Sequence, residues 1–225
     1  MTPLFGDRRD AGRQLARRLS HLAGRDRLLV LGLPRGGVPV AYEVATALGA
    51  PLDVFVVRKL GVPGHEELAM GAVASGGVRV LNHATIDALG IPQEAIERVT
   101  AAELRELARR EREYRRGRPF PDLRGATVVL VDDGVATGSS MLAAVQALHQ
   151  HRPGAVIVAA PVVSLTARAA LAQAADACEY VAAPEPFFGV GAWYHNFEQT
   201  SDEEVRALLD AAQGPAAEER YARHA

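Results

Sequence analysis

Residues 128–140 read Val128-Val129-Leu130-Val131-Asp132-Asp133-Gly134-Val135-Ala136-Thr137-Gly138-Ser139-Ser140. Four apolar residues run without polar alternation, the pattern of a strand buried on both faces. Two adjacent carboxylates follow, which repel each other unless a cation or a set of hydrogen-bond donors meets them. Thr137, Gly138, Ser139 and Ser140 then sit where a loop enters a helix expected over 139–151. Free backbone N–H groups and hydroxyls converge at such a turn and suit a phosphate monoester, while Asp132 and Asp133 can accept from vicinal hydroxyls. A sugar with a terminal phosphate satisfies both ends. The competing reading is purely local: Asp132 ends a strand, Asp133 starts a turn, and Thr137 or Ser139 caps a helix.

Outward from this segment the same pattern recurs. Toward the N-terminus lie a helix over 8–22, a strand over 27–33 ending in PRGG, a helix over 38–49 closed by Gly49, and a strand over 52–57 running into Arg58-Lys59. The Gly- and turn-rich stretch 60–71 reads as a loop, 72–81 as two short strands around Gly76-Gly77, and 84–89 and 93–116 as helices. The long helix carries Glu94/Arg98, Glu106/Arg110 and Glu111/Arg115 at i,i+4, so its interleaved charges read as a solvated face rather than a phosphate-binding one. Toward the C-terminus come strands over 155–160 and 178–181, and helices over 166–175 and 202–212, the last with a cap at Ser201. Strands alternating with helices predict an α/β fold: a mainly parallel sheet with helices on both faces.

Length and composition are consistent with one domain over 1–225, with residues 213–225 as a frayed tail. Apolar content of 48% and charged content of 23% are ordinary for a globular chain. A net charge of -2 gives no global field for nucleic acid or an anionic membrane, so an anion site must be local. The single cysteine, Cys178, excludes an internal disulfide and fits a reducing, cytoplasmic setting. The start, MTPLFGDRRDAGRQ, lacks the apolar core of a signal peptide, and AVIVAAPVV (155–163) is too short to cross a bilayer.

Ligands of open parallel sheets bind beyond the carboxyl ends of the strands. Besides DDGVATGSS, two further strand ends carry unusual chemistry. In Pro34-Arg35-Gly36-Gly37 the glycines let backbone amides approach a ligand and Arg35 adds a forked cation, suited to a second phosphate group. Arg58-Lys59 adds two cations at a neighbouring strand end. Neither the GxxxxGK[ST] nor the GxGxxG pattern is present, which removes the main support for a nucleoside triphosphate or dinucleotide.

These segments carry a resemblance. VVLVDDGVATGSSM (128–141) resembles the ribose-phosphate-binding signature of type I phosphoribosyltransferases, enzymes that use 5-phosphoribosyl 1-diphosphate. PRGG resembles their diphosphate-binding loop, and VVRKLG (56–61) resembles the strand end before their flexible catalytic loop. The three occur in the family's order, and the resemblance spans roughly residues 28–200. It is strongest to a branch of stand-alone bacterial predicted phosphoribosyltransferases.

The resemblance implies roles for individual residues. Asp132 and Asp133 bind the ribose hydroxyls and approach Mg²⁺ mostly through substrate or water, while Ala136, Thr137, Gly138, Ser139 and Ser140 wrap the 5′-phosphate. Pro34, Arg35, Gly36 and Gly37 hold the diphosphate, with a cis Pro34–Arg35 peptide expected. Arg58 and Lys59 neutralise the departing diphosphate. His65, Glu66 and Glu67 lie in a flexible loop over 60–70, from which Glu66 or Glu67 takes a proton from the acceptor or meets the metal. A hood over 182–200 contributes Trp193 and Tyr194, with Val135, to the acceptor; Phe187, Phe188 and Phe197 are read instead as the hood's own small core.

One departure from the family is Ala136, which stands where the hypoxanthine-type branch has its acid/base aspartate. The adenine-type branch tolerates alanine there. The implied activity is Mg²⁺-dependent transfer to a flat, nitrogenous acceptor, within nucleotide metabolism. The implied partners are phosphoribosyl diphosphate and a small acceptor, without nucleic acid or membrane, and a homodimer is compatible. Two other readings stay open: a regulator that binds phosphoribosyl diphosphate without turnover, and a phospho-sugar hydrolase.

Overall fold

The structure, a computed structural model, describes residues 2–213; the expected frayed tail, from Gly214 on, lies outside the described residues. Five strands form a parallel sheet: β1 (Leu28–Gly32), β2 (Leu52–Val54), β6 (Thr127–Val131), β7 (Ala155–Val162) and β8 (Ala177–Ala182), in the order β2-β1-β6-β7-β8. The order runs outward in both directions from the β1/β6 pair.

The apolar run that opened the reading is β6. Because side chains alternate across a strand, Val129 and Val131 join the core cluster on one face and Val128 and Leu130 the cluster on the other. The first cluster gathers residues of α1 (Arg8–Arg18), α2 (Gly37–Leu48), α4 (Gln93–Arg115) and α7 (Asp202–Ala212); the second gathers residues of α5 (Ser139–Gln150) and α6 (Leu165–Ala174). Burial on both faces explains why no polar residue interrupts the strand.

The expected strand over 52–57 divides in two. β2 ends at Val54, and Phe55 N–H makes a last bond to the Gly32 carbonyl at 3.0 Å. The chain then enters a separate antiparallel sheet of β3 (Val57–Val62), β4 (His65–Ala74) and β5 (Val78–Leu81). Residues 60–71, read as a loop, are therefore mostly a hairpin turning at Pro63-Gly64. Its buried residues Leu60, Val62 and Met70 join the cluster that includes Ile96 and Leu107 of α4, which is what the loop reading lacked. Gly71 is no breaker. A Cβ there would lie 2.4 Å from the Val80 carbonyl of β5, so the glycine permits close strand approach. The short helix α3 (His83–Leu89) connects β5 to α4.

Helix α4 ends in a buried charge network. Two of its expected internal pairs form, Arg110–Glu106 at 2.8 Å and Arg115–Glu111 at 2.5 Å. Arg115, however, is buried rather than solvated. Its Nε donates to Asp53 of β2 at 3.1 Å, and its Nη2 donates to the Val54 carbonyl at 2.6 Å and to Ser75 Oγ at 3.3 Å. One guanidinium thus joins the helix, the edge of the parallel sheet and the end of β4.

Candidate active site

β1 and β6 pair in register from Leu28↔Thr127 to Gly32↔Val131, so PRGG and DDG leave the sheet at the same level. The two loops touch. A Cβ added to Gly36 would lie 2.0 Å from Asp133 Oδ2, and one added to Gly37 would lie 2.6 Å from the Val131 carbonyl and 2.9 Å from Asp132 Cα. A side chain at Gly36 would displace the Asp133 carboxylate, and one at Gly37 would meet the main chain. At Gly37 the obstacle is backbone, which cannot rotate away as a side chain can. Gly37→Ala is therefore expected to destabilise the fold by about 1–3 kcal/mol, read from the denaturant midpoint.

The Pro34–Arg35 peptide is cis, in agreement with the sequence expectation. Among the described residues the Arg35 side chain has no hydrogen-bond partner, and it is half-buried beside the turn into α2. Across the gap, Ala136, Thr137, Ser139 and Ser140 are exposed while Gly138, at φ 79°, makes the bend into α5. Thr137 Oγ1 and Ser139 Oγ lie 3.1 Å apart. Ser164 donates to the Ala136 carbonyl and caps α6 through Ala167 N–H at 3.0 Å, pinning the turn from behind. The result is an exposed, donor-rich helix N-terminus that follows the paired carboxylates in the chain.

The carboxylates between these loops are part-buried. Asp132 Oδ1 accepts from the Asp133 N–H at 2.9 Å. Burial, and then the adjacent charge of Asp133, hold the Asp132 carboxyl well above the ordinary carboxylate range. Burial also raises Asp133, and Arg8 partly offsets it. Arg8 Nε donates to Asp133 Oδ2 at 2.8 Å, and its Nη1 to the Glu198 carbonyl at 2.6 Å. The sequence reading gave Arg8 only as the start of a helix over 8–22. A contact across 125 positions leaves no local signal.

The expected catalytic side chains are less tightly gathered. Arg58 and Lys59 are successive residues of β3 and project to opposite faces. Arg58 Nε donates to Glu103 of α4 at 2.6 Å, whereas Lys59 is exposed. His65, Glu66 and Glu67 are exposed at the start of β4, on the hairpin rather than in a loop.

The hood's aromatics follow expectation at Phe187 and Phe197, which pack against the hood cluster, and depart from it at the other three. Trp193 and Tyr194, read as facing the acceptor, are buried with Phe5, Ala11 and Val162, whereas Phe188, read as hood core, is 68% exposed. The reason lies in the N-terminal segment, which covers the hood. Leu4 and Phe5 N–H donate to the Trp193 carbonyl, and the Tyr194 ring packs between Phe5 and Phe197 at 5.2 and 4.9 Å. Tyr194 OH donates to the Asp133 carbonyl at 2.5 Å, so its role here is to support the carboxylate turn. Val135 likewise turns its side chain into the core beneath α5 and α6, and its backbone bridges Val163. Among the described residues the hood's exposed ring is Phe188.

Comparison with known proteins agrees with this geometry. A family described as the phosphoribosyl transferase domain matches residues 7–192. Two Mycobacterium tuberculosis proteins, from strains CDC 1551 and H37Rv and provisionally named phosphoribosyl transferases, are each 51% identical over 209 residues, 93% of this chain and 47% of their own length. The chain thus spans about half the length of these curated relatives. A Thermus thermophilus protein of known crystal structure is 46% identical with a TM-score of 0.82, covering 91% of this chain and 97% of that one. With a family match over most of its length, and with its glycine loop, paired aspartates and hydroxyl turn meeting at one sheet edge, the chain belongs to the type I phosphoribosyltransferase family.

Proposed function

We propose that the protein transfers the 5-phosphoribosyl group from phosphoribosyl diphosphate to a nitrogenous, nucleobase-like acceptor, with release of diphosphate. The observation that carries this reading is the register of β1 with β6. It brings the glycine loop against the paired carboxylates, from which the hydroxyl turn into α5 follows in the chain, and this supports a site for a phosphorylated sugar diphosphate. In this arrangement Thr137, Ser139, Ser140 and the backbone around Gly138 hold the 5′-phosphate, Asp132 and Asp133 accept from the ribose hydroxyls, and Arg35 with the Gly36 and Gly37 amides holds the diphosphate.

Mg²⁺ fits this donor set as an ion shared with the substrate. Asp132 and Asp133 offer hard oxygens, and among the described residues no group of three or more His, Cys, Asp or Glu stands ready to hold a metal by itself. When bound, the ion would supply positive charge to diphosphate and ribose oxygens. The protein's own part is to orient the ribose so that the acceptor nitrogen approaches the anomeric carbon opposite the diphosphate. The C–N bond forms as the bond to the diphosphate oxygen breaks, through an oxocarbenium-like state. Lys59, from the exposed side of β3, adds charge to the leaving group, and Arg58 joins it only by releasing Glu103. The hairpin tip carrying His65, Glu66 and Glu67 closes over the site, where Glu66 or Glu67 takes the acceptor's proton.

Phe188 is the hood ring available for the acceptor. Phe188→Ala is expected to raise the acceptor KM about tenfold with little change in phosphoribosyl diphosphate affinity, as loss of one stacking face predicts. The function is tested by diphosphate release from phosphoribosyl diphosphate and Mg²⁺ across a panel of nucleobases. Acceptor-dependent release supports transfer. Release with water alone points to hydrolysis, and binding without release under any acceptor to a sensor.

A further inference from the structure

We infer that Arg8 is a positioning residue, which locks the hood and the N-terminal segment onto Asp133 and so holds that carboxylate in place for the ribose. The inference rests on the function proposed above and adds a residue to it. Arg8 is not a free surface arginine: only 12% of its side chain is exposed. Its backbone is fixed on both sides. Asp7 caps α1 by accepting from Asp10 N–H at 2.7 Å, and Phe5 forms a parallel bridge with Tyr194. From that anchored start the guanidinium makes three contacts, one with the carboxylate turn and two with adjacent residues of the hood segment. It donates to Asp133 Oδ2, it donates to the Glu198 carbonyl, and it lies over the Phe197 ring at 3.9 Å.

Those contacts close a ring. Phe197 packs on Tyr194, and the Tyr194 hydroxyl donates to the Asp133 carbonyl. Asp133 is therefore gripped by its side chain and by its backbone, and the two grips are joined through one aromatic pair. Arg8 engages a single carboxylate oxygen, and a carboxylate has about four acceptor positions, so ribose hydroxyls can still be received. A Cβ at Gly36 would come within 3.3 Å of Arg8 Nε, which also places the guanidinium against the glycine loop. A lysine could restore the charge and one hydrogen bond, but not the planar fork that serves Asp133, Glu198 and Phe197 together.

The test compares the full chain with Arg8→Ala and Arg8→Lys by two readouts. The first needs no substrate: hydrogen exchange at the His195 and Asn196 amides, which donate to the Phe5 and Gly6 carbonyls at 2.9 Å. The second is the Kd for phosphoribosyl diphosphate with Mg²⁺. Arg8→Ala is expected to speed exchange at those two amides about tenfold or more and to weaken binding by about tenfold or more, as loss of a charge-assisted bond to a part-buried carboxylate predicts. Arg8→Lys, which keeps the charge, is expected to fall between it and the wild type in both. Unchanged exchange in Arg8→Ala overturns the lock. Faster exchange with affinity within about twofold of wild type overturns the positioning role. Wild type that fails to bind while exchange still responds overturns the proposed function instead, and leaves the lock standing. Should Arg8→Ala not fold, Arg8→Lys carries the test, and wild-type behaviour in both readouts overturns the inference.

Discussion

Asp132→Asn is expected to make the unliganded protein more stable while weakening phosphoribosyl diphosphate binding on the order of a hundredfold. The stabilising half follows from placing two adjacent carboxylates in a part-buried turn, where burial and the charge of Asp133 both oppose ionisation of Asp132. Asparagine removes the charge and keeps an oxygen to accept from Asp133 N–H, a bond of 2.9 Å in this structure. A gain of about 1–2 kcal/mol is expected, in the range typical of relieving functional strain. The sign of the pH dependence follows. A carboxyl whose folded pKa lies above its unfolded value binds protons more readily in the native state, so native stability falls as pH rises from the unfolded value through the folded one. Wild type should lose stability across that window and Asp132→Asn should lose less, as thermal unfolding followed from about pH 4 upward would show. Equal slopes would mean that Asp132 is not the strained group. The binding loss comes from trading an ionised acceptor for a neutral one, worth about 1.5–3 kcal/mol per hydrogen bond.

Arg115→Ala should be the most damaging single change to the fold, about 3–5 kcal/mol. Arg115 and Asp53 side chains are 4% and 8% exposed, and burial already raises the Asp53 carboxyl despite its partner. Removing the guanidinium leaves a buried carboxylate without its cation and takes away the side-chain donor of the Val54 carbonyl, while Ser75 Oγ keeps only the Val56 N–H at 2.9 Å. The same change loosens the junction between β2 and the β3–β4 hairpin, so the hairpin amides should exchange faster. Acid should soften the defect, because a protonated Asp53 no longer needs the cation. Pairing the change with Asp53→Asn should therefore recover part of the lost stability, and full additivity of the two losses would contradict the pairing.

The parallel sheet and the loops that meet at its edge were legible because their signals are local. An unbroken apolar run, a glycine loop and a hydroxyl turn each declare themselves within a few residues, and their order along the chain sets them at neighbouring strand ends. The β3–β4 hairpin was hidden because Gly61, Pro63, Gly64 and Gly71 resemble loop punctuation, although Gly71 serves close strand packing. Arg8 and Arg115 were hidden for another reason. Each sits on a helix whose charge pattern suits solvent, and only the partners supplied by distant segments, Asp133 and Asp53, bring them inside. The hood shows the same limit: composition located its aromatics, but which ring turns inward depends on Phe5, nearly 190 positions away in sequence, covering Tyr194 and not Phe188.

The measurement closest to the central claim is calorimetric titration of phosphoribosyl diphosphate, with and without Mg²⁺, into wild type and into the double variant Asp132→Asn/Asp133→Asn. Saturable, Mg²⁺-strengthened binding by wild type, lost in the double variant while its thermal unfolding remains cooperative, is the expected result. Absence of binding by folded wild type, or equal binding by the double variant, would contradict the assignment of this sheet edge as the phosphoribosyl site.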